Sequence, residues 1–320
     1  MNILETIFAA NKITQGKIWH VKPYSGHDSR DGKTPDKAFK TLAQAQSKAV
    51  ADRNDIVLLY AESNTAANTT DYQSSTLDWA KDMVHLIGVN AGSPLSHRSR
   101  IAFASTYATA SNLFTLSADA CLIANVALFA GVTSTSPTGC VQQTGDKNHW
   151  LNCMISGIGA DTNDIAGAYS LYLNGVQETL FEDCYIGLET IDAGSAANSE
   201  ILLASTVKNN IFRGCTIIRR IEHGTNHPLI KIAAATSLEG VNLFERNCGF
   251  ISHSTNNAYS NAGVFKFAVT PTQGKIIIDP TCYATNGTTA GKWDVDDNDV
   301  IVVTGSPTPA ADTAQIGRYV

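Results

Sequence analysis

The sequence predicts an all-β chain, a right-handed parallel β-helix built of roughly 31-residue coils. Three observations carry that prediction. Five cysteines, Cys153, Cys184, Cys215, Cys248 and Cys282, follow one another at separations of 31, 31, 33 and 34 residues. An aromatic residue runs ahead of four of them at a matching period: Trp150, Phe181, Phe212 and Phe244, separated by 31, 31 and 32. Short apolar segments bounded by Gly, Asn, Ser and Thr recur in phase, with no helix between them. That is the pattern of a solenoid, in which each coil covers the apolar edge of its neighbour.

The elements follow in chain order. Residues 1–17 form an N-terminal arm without the basic start, apolar core and cleavage site of a signal peptide, so synthesis in the cytoplasm is expected. Ile18-Trp-His-Val21 reads as a strand, residues 26–32 as a polar turn, and residues 55–60 as a second strand. Between them residues 41–50 are Ala-rich, with Thr41 placed as the N-cap of one helix. Such a helix suits the end of a solenoid, where a bare rung would pair with another chain. Residues 64–82 read as a polar loop and 83–88 as a further strand. These form the capping segment and first coils, 18–100, and the β-helix proper runs from 101 to 290. A C-terminal strand and tail occupy 291–320.

Within the β-helix the text Trp150-Leu-Asn-Cys-Met-Ile155 returns as Phe181-Glu-Asp-Cys-Tyr-Ile186 and Phe212-Arg-Gly-Cys-Thr-Ile217. It returns again with one inserted residue as Phe244-Glu-Arg-Asn-Cys-Gly-Phe250, and an earlier copy carries Val126 in place of cysteine. A companion strand precedes each copy: Leu113-Phe-Thr-Leu116, Ser170-Leu-Tyr-Leu173, Ile201-Leu-Leu203, Leu229-Ile-Lys-Ile232 and Val264-Phe-Lys-Phe267. The cysteines read as an inward column of small hydrophobes with free thiols. Their total of 7 is odd, and no C-x₂-C pair suggests zinc. The aromatic column should stack as well. Simple alternation sets it on the opposite face from the cysteines unless the chain bends between them, and the sequence leaves this open. Glu182, Arg213 and Glu245 alternate in sign beside it, as a surface charge ladder would.

Composition narrows the function. A net charge of −6 argues against a nucleic-acid partner, and Arg219-Arg220 is the one basic pair of note. No apolar run is long enough to span a bilayer. Glycosidases need two carboxyl groups, and Glu178, Glu182, Asp183, Glu189, Asp192 and Glu200 are candidates, with Glu222 one coil on. The sequence selects no pair among them. His20, His27, His85, His97, His149, His223, His227 and His253 are scattered, and His223 and His227 sit in a Gly/Asn/Pro loop. The acidic cluster at 294–299 fails the calcium-loop pattern, because Asp299 replaces the required glycine. No phosphate-binding loop occurs. The sequence therefore assigns no catalytic, cofactor-binding or metal-binding residue and no cofactor.

The text Gly26-His-Asp-Ser-Arg-Asp-Gly32, then Pro35 and Ala38-Phe-Lys-Thr-Leu42, resembles the opening of the pectate-lyase-like, right-handed β-helix superfamily. Taken whole, the chain is similar to tailed-bacteriophage β-helix proteins that decorate or cement the capsid. That resemblance implies a virion structural protein on the capsid surface that is not an enzyme. It also implies binding to the particle's major capsid protein and self-association as a homotrimer. Two alternatives belong to other classes: a tailspike-type polysaccharide-degrading lyase or glycosidase, and a non-catalytic glycan- or receptor-binding module. The Asp calcium ligands and the Arg or Lys base of the lyases have no counterpart that the sequence identifies.

Overall fold

In the computed structural model the described residues are 16–93, 95, 97–104, 111–132, 138–194, 198–221, 228–254, 264–267, 274–286 and 300–302. They form three sheets, A, B and C, of ten, eight and seven strands. The chain visits C, A and B in turn and returns to C one coil further on. Neighbouring strands are parallel and in register, as Phe181↔Phe212 in A, Ile186↔Ile217 in B and Leu171↔Ile201 in C illustrate. This is the parallel β-helix the repeat predicts.

Each coil holds three strands, where the sequence pattern suggests two. Trp150-Leu-Asn-Cys-Met-Ile155 reads as one strand but divides into His149–Leu151 of sheet A and Met154–Ser156 of sheet B. The break falls at Asn152, whose φ is 52°. Its counterparts are also left-handed: Asn125 at 56°, Asp183 at 52°, Gly214 at 62° and Asn247 at 61°. That region costs most L-residues about 1–2 kcal/mol, and Gly, Asn and Asp bear it best. The bend answers the question of faces. Trp150 and Cys153 lie three residues apart, yet both point inward and both are fully buried.

The cysteine column follows from the ladder. Tyr185 N donates to Cys153 O, Thr216 N to Cys184 O, Gly249 N to Cys215 O and Tyr283 N to Cys248 O, at 2.8–3.0 Å. Val126 O receives Met154 N in the coil below, so it does stand in the column. All seven cysteines are free thiols, and six are buried. Burial pushes the Cys184 and Cys215 thiols well above their ordinary range, which leaves them unreactive. Beside them Trp150 stacks on Phe181 at 6.2 Å, and Phe181–Phe212 and Phe212–Phe244 stack at 4.6 Å. On the outer side of sheet A the charge ladder is present. Arg213 lies 2.7 Å from Glu245 and 3.5 Å from Glu182, and Glu182 lies 3.3 Å from His149.

At the N-terminal end the helix Leu42–Lys48 covers the first coil, with Thr41 Oγ1 accepting from Gln44 N as its cap. Asp28 accepts from Lys40 N at 2.8 Å and Thr41 N at 3.0 Å, which ties the polar turn to the helix start. Residues 64–82 are not the loop expected of them. They hold the strands Thr70–Gln73 and Leu77–Trp79, first rungs of sheets B and C. Asp71 stands in register with inward Ile101, but its Oδ2 accepts from Leu42 N of the helix at 3.0 Å. Because this rung faces a helix terminus, a polar residue replaces the apolar one. Among the described residues no helix is long and apolar enough to cross a membrane. Residues 1–15, Glu222, His223, His227, the acidic cluster 294–299 and residues 303–320 lie outside the described residues.

Candidate functional site

Sheet C presents its alternate residues to solvent. Phe114, Val141, Leu171, Ile201 and Ile230 are in register and fill the core. The next residue of each strand points the other way, so Asp78, Thr115, Gln142, Tyr172, Leu202 and Lys231 form an outward row. Asp78 is exposed and the others are half-buried. At about 4.8 Å per rung the row is straight and spans about 24 Å.

Its side chains are held in place. Asn112 Nδ2 donates to Thr115 Oγ1 at 2.8 Å, and Ser117 Oγ donates to Asp78 Oδ1 at 2.8 Å. The Tyr172 ring leans on Tyr169, with centroids 5.2 Å apart and planes inclined at 59°. Tyr169 in turn lies over Gly139, where a Cβ would come within 2.0 Å of the ring. Burial raises the Tyr169 phenol above its ordinary range, so it remains a neutral buttress for Tyr172.

The corner at which the chain passes from sheet B to sheet C leads into the strands of the row. A buried polar cluster braces it. Ser170 Oγ accepts from Gly157 N at 2.9 Å and donates to Glu200 Oε2 at 2.5 Å. Glu200 Oε1 faces Arg219 Nε at 3.6 Å, and both side chains are essentially fully buried. Arg219 Nη1 donates to Pro228 O at 3.1 Å and Asn198 O at 3.4 Å, which fastens the ends of two connections. Asp164 accepts from Gly194 N and from the Asn198 amide. Burial raises the Glu200 carboxyl and lowers the Arg219 guanidinium, and the attraction between them opposes both shifts. The strand Tyr185–Ala193 carries an irregularity between Leu188 and Asp192 at the same corner, closed by Asp192 against Arg220 at 2.6 Å.

The carboxylates named from sequence are dispersed over this frame. Glu178 and Asp183 sit exposed with positive φ at separate corners, and Glu182 belongs to the sheet A ladder. Glu189 is exposed on the irregular part of Tyr185–Ala193, Asp192 pairs with Arg220, and Glu200 is inside with Arg219. Of the histidines, His20 meets Tyr60, His27 meets Ser29, His85 meets Asn54, and His97 meets Asn90. Among the described residues no group of three or more His, Cys, Asp or Glu is placed to hold a metal.

The outward row went unnamed in the sequence. A signal for it does exist, because Thr115, Gln142, Tyr172, Leu202 and Lys231 follow at 27, 30, 30 and 29 residues, each between two core residues. Chemically the row offers a hydroxyl, an amide, a phenol ring, an ammonium and one carboxylate. Asp78 and Lys231 stand at opposite ends, about 24 Å apart, too far to act on one bond. The row is long and rich in directional hydrogen-bonding groups.

No protein-family model and no curated protein matches the chain. Solved structures do. Pectin methylesterase in complex with a hexasaccharide overlaps at TM-score 0.56 and 16% identity, over 95% of this chain and 93% of that one. Pectin methylesterase PemA from Erwinia chrysanthemi gives 0.54 and 15%, over 94% and 92%. Pectate lyase Pel9A gives 0.61 and 13%, over 96% and 75%. The chain shares the pectate-lyase-like β-helix fold over 94–96% of its length. At these identities the likeness establishes the fold. It also overturns the expectation of a chain outside the enzymes, since these three structural neighbours are two esterases and a lyase. A Geobacillus virus E2 protein, ORF18, overlaps only at TM-score 0.43, too slight to bear on role.

Proposed function

We propose that this chain is a carbohydrate-active β-helix protein that lays an extended polysaccharide across the outward row of sheet C. The observation that carries the reading is the row itself. Six rungs in register present Asp78, Thr115, Gln142, Tyr172, Leu202 and Lys231 in a straight strip about 24 Å long. A linear glycan needs that shape: hydroxyl partners at regular intervals and an aromatic face for a sugar ring. Tyr172, propped by Tyr169, supplies the face, and Gln142 and Thr115 supply the partners on the adjoining rungs. The shared fold supports the reading, because a pectin methylesterase of this architecture is seen with a hexasaccharide bound.

The test uses the full chain with methyl-esterified pectin, polygalacturonate, rhamnogalacturonan and a neutral glucan. Affinity electrophoresis reads binding, while methanol, unsaturated ends and reducing ends read turnover. The expected result is retardation by at least one acidic polysaccharide, release of one of those products, and loss of retardation on Tyr172→Ala. Absence of retardation by all four, or retardation unchanged in Tyr172→Ala, would overturn the reading. A trimeric state, a capsid-protein partner and a place on a virion are separate proposals that rest on the sequence resemblance. Light scattering and particle binding test them without reference to this strip.

A further inference from the structure

Sheet B turns a hollow outward in its lower coils. Arg100, Ala127 and Met154 are in register on three successive strands, and the short Ala127 leaves a gap between its two long neighbours. Phe129 stands in the adjacent column and carries the Arg100 guanidinium over its ring at 4.3 Å from the centroid. Leu95, His97 and Arg98 close the other side, giving a cavity of about 170 Å³. The closing wall is anchored. His97 is itself buried and bridges Asn90 Oδ1 at 2.8 Å and the Asn152 carbonyl at 2.5 Å. Asn152 belongs to the left-handed column at the corner between sheets A and B, so the most regular part of the solenoid sets the shape of the hollow.

The charge of the hollow is unbalanced. Among the described residues neither Arg98 nor Arg100 has a carboxylate partner, and Arg100 Nε has no hydrogen-bond partner. Both guanidinium groups line one hollow on a chain whose net charge is −6. A guanidinium stacked on a ring has its fork fixed in direction, and a fixed fork suits the two oxygens of a carboxylate. Apart from His97, the rest of the lining is apolar: Ala127, Met154, Phe129, and Leu95, which is 60% exposed at the rim. A volume of about 170 Å³ is smaller than the roughly 300–1,000 Å³ of pockets for larger ligands. It admits one sugar-sized ring and not a chain.

We propose that this hollow is a binding site for a single acidic sugar residue, with its carboxylate on Arg98 and Arg100 and the C–H face of its ring on Met154 and Leu95. The site lies on sheet B, away from the sheet C strip, and does not depend on the strip's being a polysaccharide site. The experiment is calorimetric titration of the full chain with glucuronic acid, glucose and inorganic sulfate. Glucuronic acid should bind saturably, with glucose and sulfate at least about tenfold weaker, since each lacks one half of the match. Arg100→Gln should weaken glucuronic acid about tenfold or more. Ala127→Leu should abolish its binding by filling the hollow with both arginines intact, and this decides the matter if Arg100→Gln fails to fold. Sulfate or glucose binding as tightly as glucuronic acid would overturn the proposal, as would glucuronic acid binding retained in Ala127→Leu.

Discussion

The corner from sheet A to sheet B and the corner from sheet B to sheet C are built by the same chain once per coil, yet they are made differently. At the first, the chain leaves Leu151 and enters Met154 with two residues between, and the next coils repeat this at Asp183 and Gly214. Its interior is thiols and stacked rings, with no charged side chain among the described residues. At the second, the connections vary in length, the strand Tyr185–Ala193 loses register, and the interior holds Ser170, Glu200 and Arg219. Repetition at one corner gives the stack its pitch. Irregularity at the other comes just before the strands of the sheet C strip. The difference teaches where to look on a solenoid: the corner that repeats carries the architecture, and the corner that departs from the repeat carries what is particular to this protein.

The comparison predicts unequal responses to substitution. The largest belongs to the irregular corner. Arg219→Met leaves the Glu200 carboxylate buried beside an apolar chain, and equilibrium urea unfolding should show a loss of about 3–5 kcal/mol. Adding Glu200→Met should recover most of that loss, because the pair is costly to break and cheap to replace. A double variant as unstable as the single one would mean that the brace is needed as a pair.

The regular corner should respond through its backbone. Gly214 has φ of 62°, and a Cβ there would come 2.4 Å from Asp183 Oδ1. Gly214→Ala should cost about 1–2 kcal/mol in the same unfolding assay. Gly214→Asn tolerates the dihedral but meets the same crowding, and it should fall between the two. If Gly214→Ala were silent, the left-handed column would not be what sets the turn.

A smaller effect concerns pH at the capped end. Burial pushes the Asp71 carboxyl up to about 6, with the Leu42 amide and Gln73 pulling the other way. Folded Asp71 therefore holds its proton to higher pH than the unfolded chain does, where the ordinary value is about 3.9. Its contribution to stability is full below about pH 4 and is lost as pH rises through about 6. Asp55 runs the opposite way. Burial would raise it, but the Arg53 guanidinium, the Lys17 and Val50 amides and the Trp19 indole hold it at about 2. Its contribution is present above about pH 4 and lost as pH falls toward 2. Thermal midpoints from pH 4 to 7 should decline less in Asp71→Asn than in the native chain.

The regular corner was also the legible one. A cysteine and an aromatic residue at each turn leave a period in the text because the same two positions are buried at every rung. The bend between them was not legible, since Asn152, Asp183 and Gly214 share a backbone conformation and not a residue type. Strands of three residues on either side of it merge into one apolar phrase. The first rungs of sheets B and C were hidden in residues 64–82 because Asp71 serves a helix terminus where the pattern asks for an apolar residue. The brace was half visible. Glu200 and Arg219 each drew notice separately, but 19 residues divide them and only coil closure brings them together. The strip was missed because outward positions are under no common demand for burial, so Thr115, Gln142, Tyr172 and Lys231 share a place and no chemistry.

Hydrogen–deuterium exchange of the full chain, with and without an acidic oligosaccharide of about six units, tests the central claim most directly. The account predicts slowed exchange on the sheet C strands Asn112–Leu116, Gly139–Gln143, Tyr169–Asn174 and Ser199–Ala204, separate from any protection of the sheet B hollow around Arg100 and Met154. The two-residue turns at Asn152, Asp183 and Gly214 should be unchanged. Protection centred on those turns or on the sheet A ladder of Glu182, Arg213 and Glu245, with none on sheet C, would contradict it.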